Sequence, residues 1–155
     1  MLTLLLAIGK LRPAYRSACD DYLRRIRRYG RIEERELREA GRRTTAALHR
    51  RDESSRLTEA LPPEAQPVVL DRMGKSWTSE ELARQLDRWR TAARPIALVI
   101  GGAEGLESDF PGRSAIRWSL GPLTLPHELA RVVVLEQWYR AWTILRGEPY
   151  HKGSA

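Results

Sequence analysis

Short apolar runs alternate along the chain with longer stretches in which apolar residues recur every three or four positions. The runs lie at Met1–Ile8, Pro67–Asp71 and Ile96–Ile100, and their lengths are typical of buried strands. No basic residue precedes the first run and no small-residue cleavage site follows it, so we expect a strand there rather than a signal peptide. A weaker strand pattern, interrupted by three glutamates, covers Ile32–Leu37.

The longer stretches predict helices. Tyr15–Tyr29 carries apolar side chains at helical spacing and stops before Gly30. Thr44–Ala60 is rich in helix-forming residues, but it has only Leu48 and Leu57 as apolar anchors. We therefore expect a weakly packed helix in that region.

Two further helices are predicted in the second half of the chain. Thr78 and Glu81 have the spacing of a capping box. Pro126 is suited to the first position of a helix that runs to Leu145 before Gly147 ends it. The predicted buried face of the earlier helix is Leu82, Leu86 and Trp89.

Polar or glycine-rich segments separate these elements. Ala40–Arg43 predicts a basic loop and Arg72–Ser76 a turn. The three glycines of Gly101–Gly105 are expected to turn with positive φ and to bring bare backbone against a ligand. The alternation of strands and helices predicts one α/β domain over residues 1–155, with a mostly parallel central sheet flanked by helices. In such sheets ligands bind at loops that follow strand ends, such as Leu120–His127.

The charge of the chain favours an anionic partner such as nucleic acid. The formal net charge is +7 and the pI is near 10.2. Only three of the 27 basic residues are lysine, and the guanidinium group of arginine suits phosphate oxygens and stacking on bases. A solvated basic surface with no such partner fits the charge equally well. The polar face of the first helix carries five arginines with the same two interpretations: Arg16, Arg24, Arg25, Arg27 and Arg28.

Several familiar sites are excluded by residue type or spacing. Cys19 is the only cysteine, which rules out an intramolecular disulfide and indicates a core-filling thiol in a reducing compartment. Gly74–Ser76 resembles the end of a phosphate-binding P-loop, but Val69 stands where its first glycine is required. Gly101–Gly105 departs from the dinucleotide-binding fingerprint. The three histidines lack metal-ligand spacing, and we expect no metal.

The last predicted helix carries two pairs of interest. Glu136 and Arg140, four residues apart, predict an ion pair on the helix surface. Trp138 and Trp142 share a face and are expected in the core or in a dimer contact. The helix is apolar on more than one side, which favours a homodimer. The residues that exceed a single stripe are Val132, Val133, Val134, Leu135, Trp138, Trp142 and Ile144.

Five separated segments carry the remaining distinctive sequence: Val68–Trp77, Leu98–Leu106, Ser119–His127, Glu136–Ala141 and Pro149–Lys152. In order and spacing they resemble the ribosomal RNA large-subunit methyltransferase H family, in the SPOUT superfamily of knotted methyltransferases. The resemblance covers nearly all of the chain. It is specific because all five segments agree.

That resemblance implies a C-terminal trefoil knot, an α/β knot of the SPOUT type, over about residues 96–152, a rare exception to unknotted topology. It also implies a homodimer, S-adenosylmethionine as methyl donor, and a cytoplasmic enzyme that acts on the ribosome without a membrane or a metal. The implied acceptor is N3 of a pseudouridine in a stem-loop of large-subunit rRNA. Two alternatives stay open: a SPOUT methyltransferase for tRNA, and a non-catalytic basic RNA-binding or ribosome-assembly factor.

The same resemblance implies individual functional residues. Tyr150 and His151 lie near the acceptor base, with His151 as proton acceptor and Tyr150 as a stacking or hydrogen-bonding surface. Lys152 and Arg131 are assigned to contact with RNA. Nine residues are assigned to the cofactor: Leu70, Gly101, Gly102, Leu120, Gly121, Pro122, Leu123, Thr124 and Leu125.

Overall fold

The structure of the chain is a computed structural model that describes residues 1–41, 45–110, 112 and 115–153. Within these residues five strands form one sheet in the order β2-β1-β4-β3-β5, with every neighbouring pair parallel. The predicted α/β fold with a parallel central sheet is confirmed. The strands are β1 (Leu2–Ile8), β2 (Arg31–Leu37), β3 (Gln66–Ser76), β4 (Ile96–Ile100) and β5 (Ile116–Ser119).

Two strands differ from the sequence prediction. The turn predicted at Arg72–Ser76 is wrong, because β3 continues to Ser76 through a bulge in which Leu70 and Lys75 both pair with Trp118. The four-residue strand β5 was not predicted. The weak strand signal in the second strand is confirmed by β2, which pairs with β1 over its whole length at the edge of the sheet.

The helices are α1 (Pro13–Ile26), α2 (Ala46–Ala60), α3 (Ser79–Thr91) and α4 (His127–Leu145), followed by a short 3-10 helix, Pro149–Gly153. The capping box at Thr78 and Glu81 is confirmed, since each side chain accepts from the other residue's backbone N–H. Pro126 precedes α4 as its N-cap rather than serving as its first residue. No helix in the described part of the chain is long and apolar enough to cross a membrane.

Helices α1, α3 and α4 cover one face of the sheet and form what we call the helix layer. Buried side chains of α1, α3 and α4 share a core with alternate residues of the inner strands, such as Leu5 and Leu98. Helix α4 packs against both of its neighbours: Trp138 stacks on Trp89 of α3, and Tyr139 lies against Tyr22 of α1. The apolar width of α4 is therefore largely used within one chain, which removes the sequence argument for a dimer based on that width.

The opposite face of the sheet is covered by α2. Leu57 packs there against Leu4, Val69 and their neighbours in the strands. Leu48, the other predicted anchor, is instead 46% exposed, because it lies on the outer side of the helix. The predicted basic residues Arg42 and Arg43, and the predicted helix start at Thr44, lie outside the described residues.

The C-terminus of α4 ends in a turn that redirects the chain. Gly147 adopts a φ of 67°, which glycine tolerates at no steric cost. The N–H of Gly147 donates to the carbonyl of Ile144, and that of Glu148 to the carbonyl of Thr143, the pattern of a Schellman motif. This turn folds the tail, residues 149–153, back onto the helix layer.

Candidate functional site

A cavity of about 450 Å³ lies at the carboxyl edge of the sheet. Its walls come from β3 and the segments that follow β4 and β5, which are three adjacent strands. A smaller cleft of about 90 Å³ adjoins it and shares Leu70, Thr124 and Leu125. Because parallel strands end at the same edge, segments far apart in sequence converge here.

The structure brings most of the predicted cofactor residues to this edge. The larger cavity is lined by Leu70, Gly101, Gly102, Thr124 and Leu125. Leu120, Gly121 and Leu123 line the adjoining cleft. Pro122 lies between them on the exposed tip of the same loop. The convergence of these residues on one edge of the sheet is a property of the fold.

The positive φ predicted for the glycines of Gly101–Gly105 is wrong for the first two of them. Gly101 and Gly102 do not adopt positive φ; in that loop only Gly105 does, at 74°. At both positions an added side chain would instead meet a close neighbour. A Cβ at Gly101 would lie 2.7 Å from the side chain of Leu106, and one at Gly102 would lie 2.6 Å from Oε1 of Glu53.

The loop after β5 is held by a local hydrogen-bonded turn. The hydroxyl of Ser119 accepts from the N–H of Gly121 at 3.1 Å and donates to its carbonyl at 3.2 Å. Gly121 has a φ of 115° with open space where a side chain would lie. Glycine is therefore needed at this position for its backbone conformation rather than for space.

Arg117 fixes the bulge of β3, and the sequence analysis did not identify it. Its guanidinium group pairs with Asp71 at 3.0 Å and donates to the carbonyls of Ser108 and Phe110. Gly74 permits this approach, because a Cβ there would lie 2.6 Å from the carbonyl carbon of Arg117. The ion pair thus joins two walls of the cavity.

Helix α2 supports the glycine loop from behind, through two buried polar residues that the sequence analysis also missed. Glu53 accepts from the N–H of Ala40 through Oε2 at 3.0 Å, while its Oε1 is buried without a partner in the described part of the chain. The hydroxyl of Ser54 accepts from the N–H of Glu107 at 3.0 Å. One feature of the sequence could have pointed to Glu53 and Ser54: α2 has too few apolar residues to pack against the sheet by hydrophobic contacts alone.

Replacing Ser54 with alanine should therefore loosen this loop. The Glu107 N–H would lose its acceptor, and a partly buried N–H left without one costs about 1 kcal/mol or more in unfolding free energy. Hydrogen exchange at the Glu107 amide should accelerate. The Ser55→Ala variant is the matched control, since Ser55 is exposed on the same helix. Equal exchange at Glu107 in both variants would contradict the proposed support.

The tail is held by a network of polar contacts on α3 and α4. The hydroxyl of Tyr150 donates to Glu136 at 3.1 Å, and its ring packs edge-on against Tyr139. Glu136 also pairs with Arg140 at 2.7 Å, which confirms the predicted ion pair. Arg140 in turn lies 4.8 Å from the centre of the Tyr150 ring.

His151 is clamped between two groups of opposite charge. Arg140 approaches Nδ1 at 3.2 Å, and Glu80 approaches Nε2 at 2.8 Å. Because arginine can only donate, Nδ1 accepts and the ring proton sits on Nε2, where it donates to Glu80. The hydrogen bond from His151 lowers the pKa of Glu80. Burial, followed by hydrogen bonding, raises the pKa of Tyr150, so its hydroxyl stays neutral.

The tail and the cavity do not meet within one chain. Neither Tyr150 nor His151 lines the cavity. Ala130 is a cavity residue of α4, whereas Arg140, which holds His151, lies ten residues further along the same helix. At 1.5 Å per residue this is a separation of roughly 15 Å along the helix axis.

The two residues assigned to RNA lie in different surroundings. Lys152 is exposed. Arg131 is only 1% exposed, and its two terminal nitrogens donate to internal acceptors: Glu36 at 2.6 Å, Glu34 at 3.2 Å and the carbonyl of Gly9 at 3.0 Å. The assignment of Arg131 to RNA contact is wrong, because its buried guanidinium group pairs with Glu34 and Glu36 and so joins α4 to the edge strand β2.

Two expectations about chemistry can be set beside the structure. Cys19 is fully buried in the core, as predicted, and burial raises the pKa of its thiol to about 11. A thiol in that state is a poor nucleophile. The described residues contain no cluster of three or more histidine, cysteine or acidic side chains arranged to hold a metal ion.

Comparison with known proteins gives a consistent set of relatives. A family model described as "Predicted SPOUT methyltransferase" matches residues 1–151. A protein of Pseudomonas paraeruginosa is 42% identical over 151 residues, covering 96% of this chain and 97% of the relative. A second relative, from Thioalkalivibrio sulfidiphilus, is 40% identical over the same coverage. A third, from Pseudomonas syringae pv. syringae, is 47% identical over 75% of each chain. All three are named "Ribosomal RNA large subunit methyltransferase H".

Proposed function

This chain belongs to the SPOUT methyltransferase family and is an rRNA methyltransferase, and from that premise we propose that it methylates N3 of a pseudouridine in large-subunit rRNA with S-adenosylmethionine as donor. The observation that carries the proposal is the convergence of three strand-end segments on one cavity. The ribosome in the cytoplasm is the proposed site of action.

The residues of the cavity fit this cofactor. Small-molecule sites are commonly about 300–1,000 Å³ and mostly apolar with a few exposed polar groups. The cavity has about 450 Å³, apolar walls at Leu70, Ile100 and Leu125, and bare backbone at Gly101 and Gly102. Backbone groups can hydrogen-bond an adenine edge where no side chain intervenes.

We assign the cofactor to the segments around Leu70, Gly101–Gly102 and Leu120–Leu125. When bound, S-adenosylmethionine supplies a methyl group on a sulfonium centre, already activated for displacement. The chain then has few chemical roles to fill: it must orient the acceptor base, exclude water and receive the N3 proton. Glu53, Ser54 and Arg117 hold the cavity walls in place for that task.

The tail supplies the remaining roles in this proposal. Tyr150 acts as a neutral donor and stacking surface, since its raised pKa prevents it from serving as a base near neutral pH. His151 is the proton acceptor. In the clamped arrangement its Nδ1 lone pair faces Arg140, so the ring must leave Arg140 before it can take a proton. Engagement of the substrate therefore includes separation of the His151 ring from Arg140.

The separation between tail and cavity supports a homodimer. A tail held roughly 15 Å along α4 from the cavity wall does not complete that cavity in its own chain. The tail of a second copy, packed against the first, would bring His151 to the cavity. Exposed apolar residues near the cavity edge offer a contact for such a copy: Met73 is 89% exposed and Leu123 is 77% exposed.

Light scattering at micromolar concentration should give a mass twice the 17.8 kDa of one chain. Replacing Leu123 with aspartate should weaken association, because it removes exposed apolar surface and adds a charge. Leu48→Asp is a matched control on the opposite side of the sheet, at another exposed leucine. A wild-type mass of one chain would contradict the dimer and, with it, the shared site.

Calorimetry and methyl transfer separate this proposal from its alternatives. Binding of S-adenosylmethionine supports an enzyme, whereas no binding would support a ribosome-assembly factor that lacks catalysis. Transfer of labelled methyl to purified ribosomes but not to purified tRNA supports the rRNA assignment. Transfer to tRNA alone would favour the other SPOUT alternative.

A further inference from the structure

Three arginines cluster at the end of the helix layer without an acidic partner. Arg27, Arg28 and Arg146 are exposed, and none forms an ion pair within the part of the chain that the structure describes. We call this group the arginine surface. Arg16, near the start of α1, differs from these three because it pairs with Asp20, Glu34 and Glu36.

The arginine surface borders two connected clefts. One, of about 280 Å³, is lined by Arg28, Tyr29, Arg146 and Glu148. The other, of about 520 Å³, shares Arg28 and Tyr29 with the first and is also lined by Arg27 and Glu33. The carboxylate of Glu148 accepts from the hydroxyl of Tyr29 at 2.6 Å. Glu148 is thus engaged by a tyrosine, and among the described residues Arg28 uses only its Nε, which donates to the carbonyl of Arg25 at 3.4 Å.

An aromatic cluster connects this surface to the tail. The guanidinium of Arg28 lies over the ring of Tyr29 at 6.0 Å. Tyr29 lies 6.1 Å from Tyr139, whose ring is 4.7 Å from that of Tyr150. The arginine surface and the tail are therefore linked by one cluster of rings, in which Tyr139 is buried and Tyr29 and Tyr150 are half-buried.

We propose that Arg27, Arg28 and Arg146 form a docking surface for RNA phosphates that delivers the acceptor nucleotide to the tail. The proposal rests on the rRNA methyltransferase function and adds the surface by which this chain holds its substrate. Guanidinium groups suit phosphate because they donate in a fixed fork. Adjacent aromatic rings suit unstacked bases of a loop. An acidic protein would need neither the rings nor the nearby tail.

The test compares two double variants of equal charge. Arg27→Gln with Arg146→Gln removes two members of the arginine surface. Arg51→Gln with Arg88→Gln removes two arginines that are also exposed and without an ion pair in the described residues, on α2 and α3. Binding to purified ribosomes is measured over a range of salt concentrations without cofactor, and folding is checked by thermal denaturation. Arg27→Gln alone serves if the first double variant fails to fold.

Each phosphate contact contributes roughly 0.7–0.9 to the slope of log affinity against log salt. The first double variant should therefore lower the slope by roughly 1.4–1.8, and the control should leave it unchanged. Equal slopes in the two variants would overturn the proposal. The proposal would also be overturned if the first double variant bound ribosomes less tightly than the wild type but bound protein-free rRNA equally well, since the partner would then be a ribosomal protein. A failure of methyl transfer in the wild type would instead overturn the proposed function.

Discussion

Ending the chain at Pro149 is expected to slow methyl transfer to ribosomes by on the order of a hundredfold or more, the usual cost of losing a general base. The truncation removes Tyr150, His151 and Lys152 but leaves every residue that lines the cavity. Affinity for S-adenosylmethionine should therefore stay near that of the full chain. Single-turnover transfer of labelled methyl, at saturating cofactor, measures the chemical step directly.

A chain ending at Lys152 is the matched control, since it keeps all three of these residues. The shorter chain also loses the hydrogen bond from Tyr150 to Glu136, so a small fall in melting temperature is expected and does not bear on the mechanism. Mixed dimers add a sharper comparison. A truncated copy paired with a copy whose cavity is blocked should retain one working site only if tail and cavity belong to different chains. Full activity of the truncated dimer would remove Tyr150 and His151 from the mechanism.

Replacing Gly102 with valine should weaken binding of S-adenosylmethionine by roughly tenfold to a hundredfold, because overpacking costs about 1–3 kcal/mol and each 1.4 kcal/mol is tenfold in affinity. Its Cβ would lie 2.6 Å from Glu53 and 3.2 Å from Ile8. Glu53 is held through Oε2 by the N–H of Ala40, and Ile8 belongs to β1, which opposes a shift of either side chain. We therefore expect part of the clash to be relieved by movement of the loop toward the cavity.

The Gly101→Val variant should have a smaller effect than Gly102→Val. Its Cβ would meet the side chain of Leu106, which can change rotamer at moderate cost. Gly41→Val is the control, since nothing lies within 4 Å of a Cβ at that position. Calorimetry gives the affinities, and thermal denaturation shows which variants remain folded. Wild-type affinity in folded Gly102→Val would contradict the placement of the cofactor beside this loop.

The strands and helices with strong apolar patterns could be predicted from the sequence. Leu4, Leu6 and Ile8 face α2 while Leu5 and Ala7 face the other helices, which is why β1 is apolar throughout. The strand β5 gives no such signal. It is only four residues long and is defined by its pairing with a bulged β3, a long-range contact that local pattern does not encode.

The glutamates of β2 show why the strand prediction there was weak although it was correct. They weaken the strand pattern, yet Glu34 and Glu36 lie at the sheet edge to pair with Arg16 and with the buried Arg131. An arginine in an apolar helix suggests a surface role until its partners in another element are known.

The candidate cofactor residues could be located from the resemblance, but their surroundings could not. Glu53 and Ser54 come from a helix remote in sequence from the glycine loop they support. The position of the tail depends on the turn at Gly147 and on contacts with Glu80 and Arg140, none of which follows from spacing. The trefoil knot stays a prediction of the family resemblance.

Nucleoside mass spectrometry of large-subunit rRNA tests the central claim most directly. Ribosomes from a strain that lacks this protein are incubated with the purified chain and isotope-labelled S-adenosylmethionine, and the rRNA is digested to nucleosides. The account predicts one labelled product, N3-methylpseudouridine, that is absent without the protein. Label on another nucleoside, or no label in large-subunit rRNA although the folded chain binds the cofactor, would contradict it.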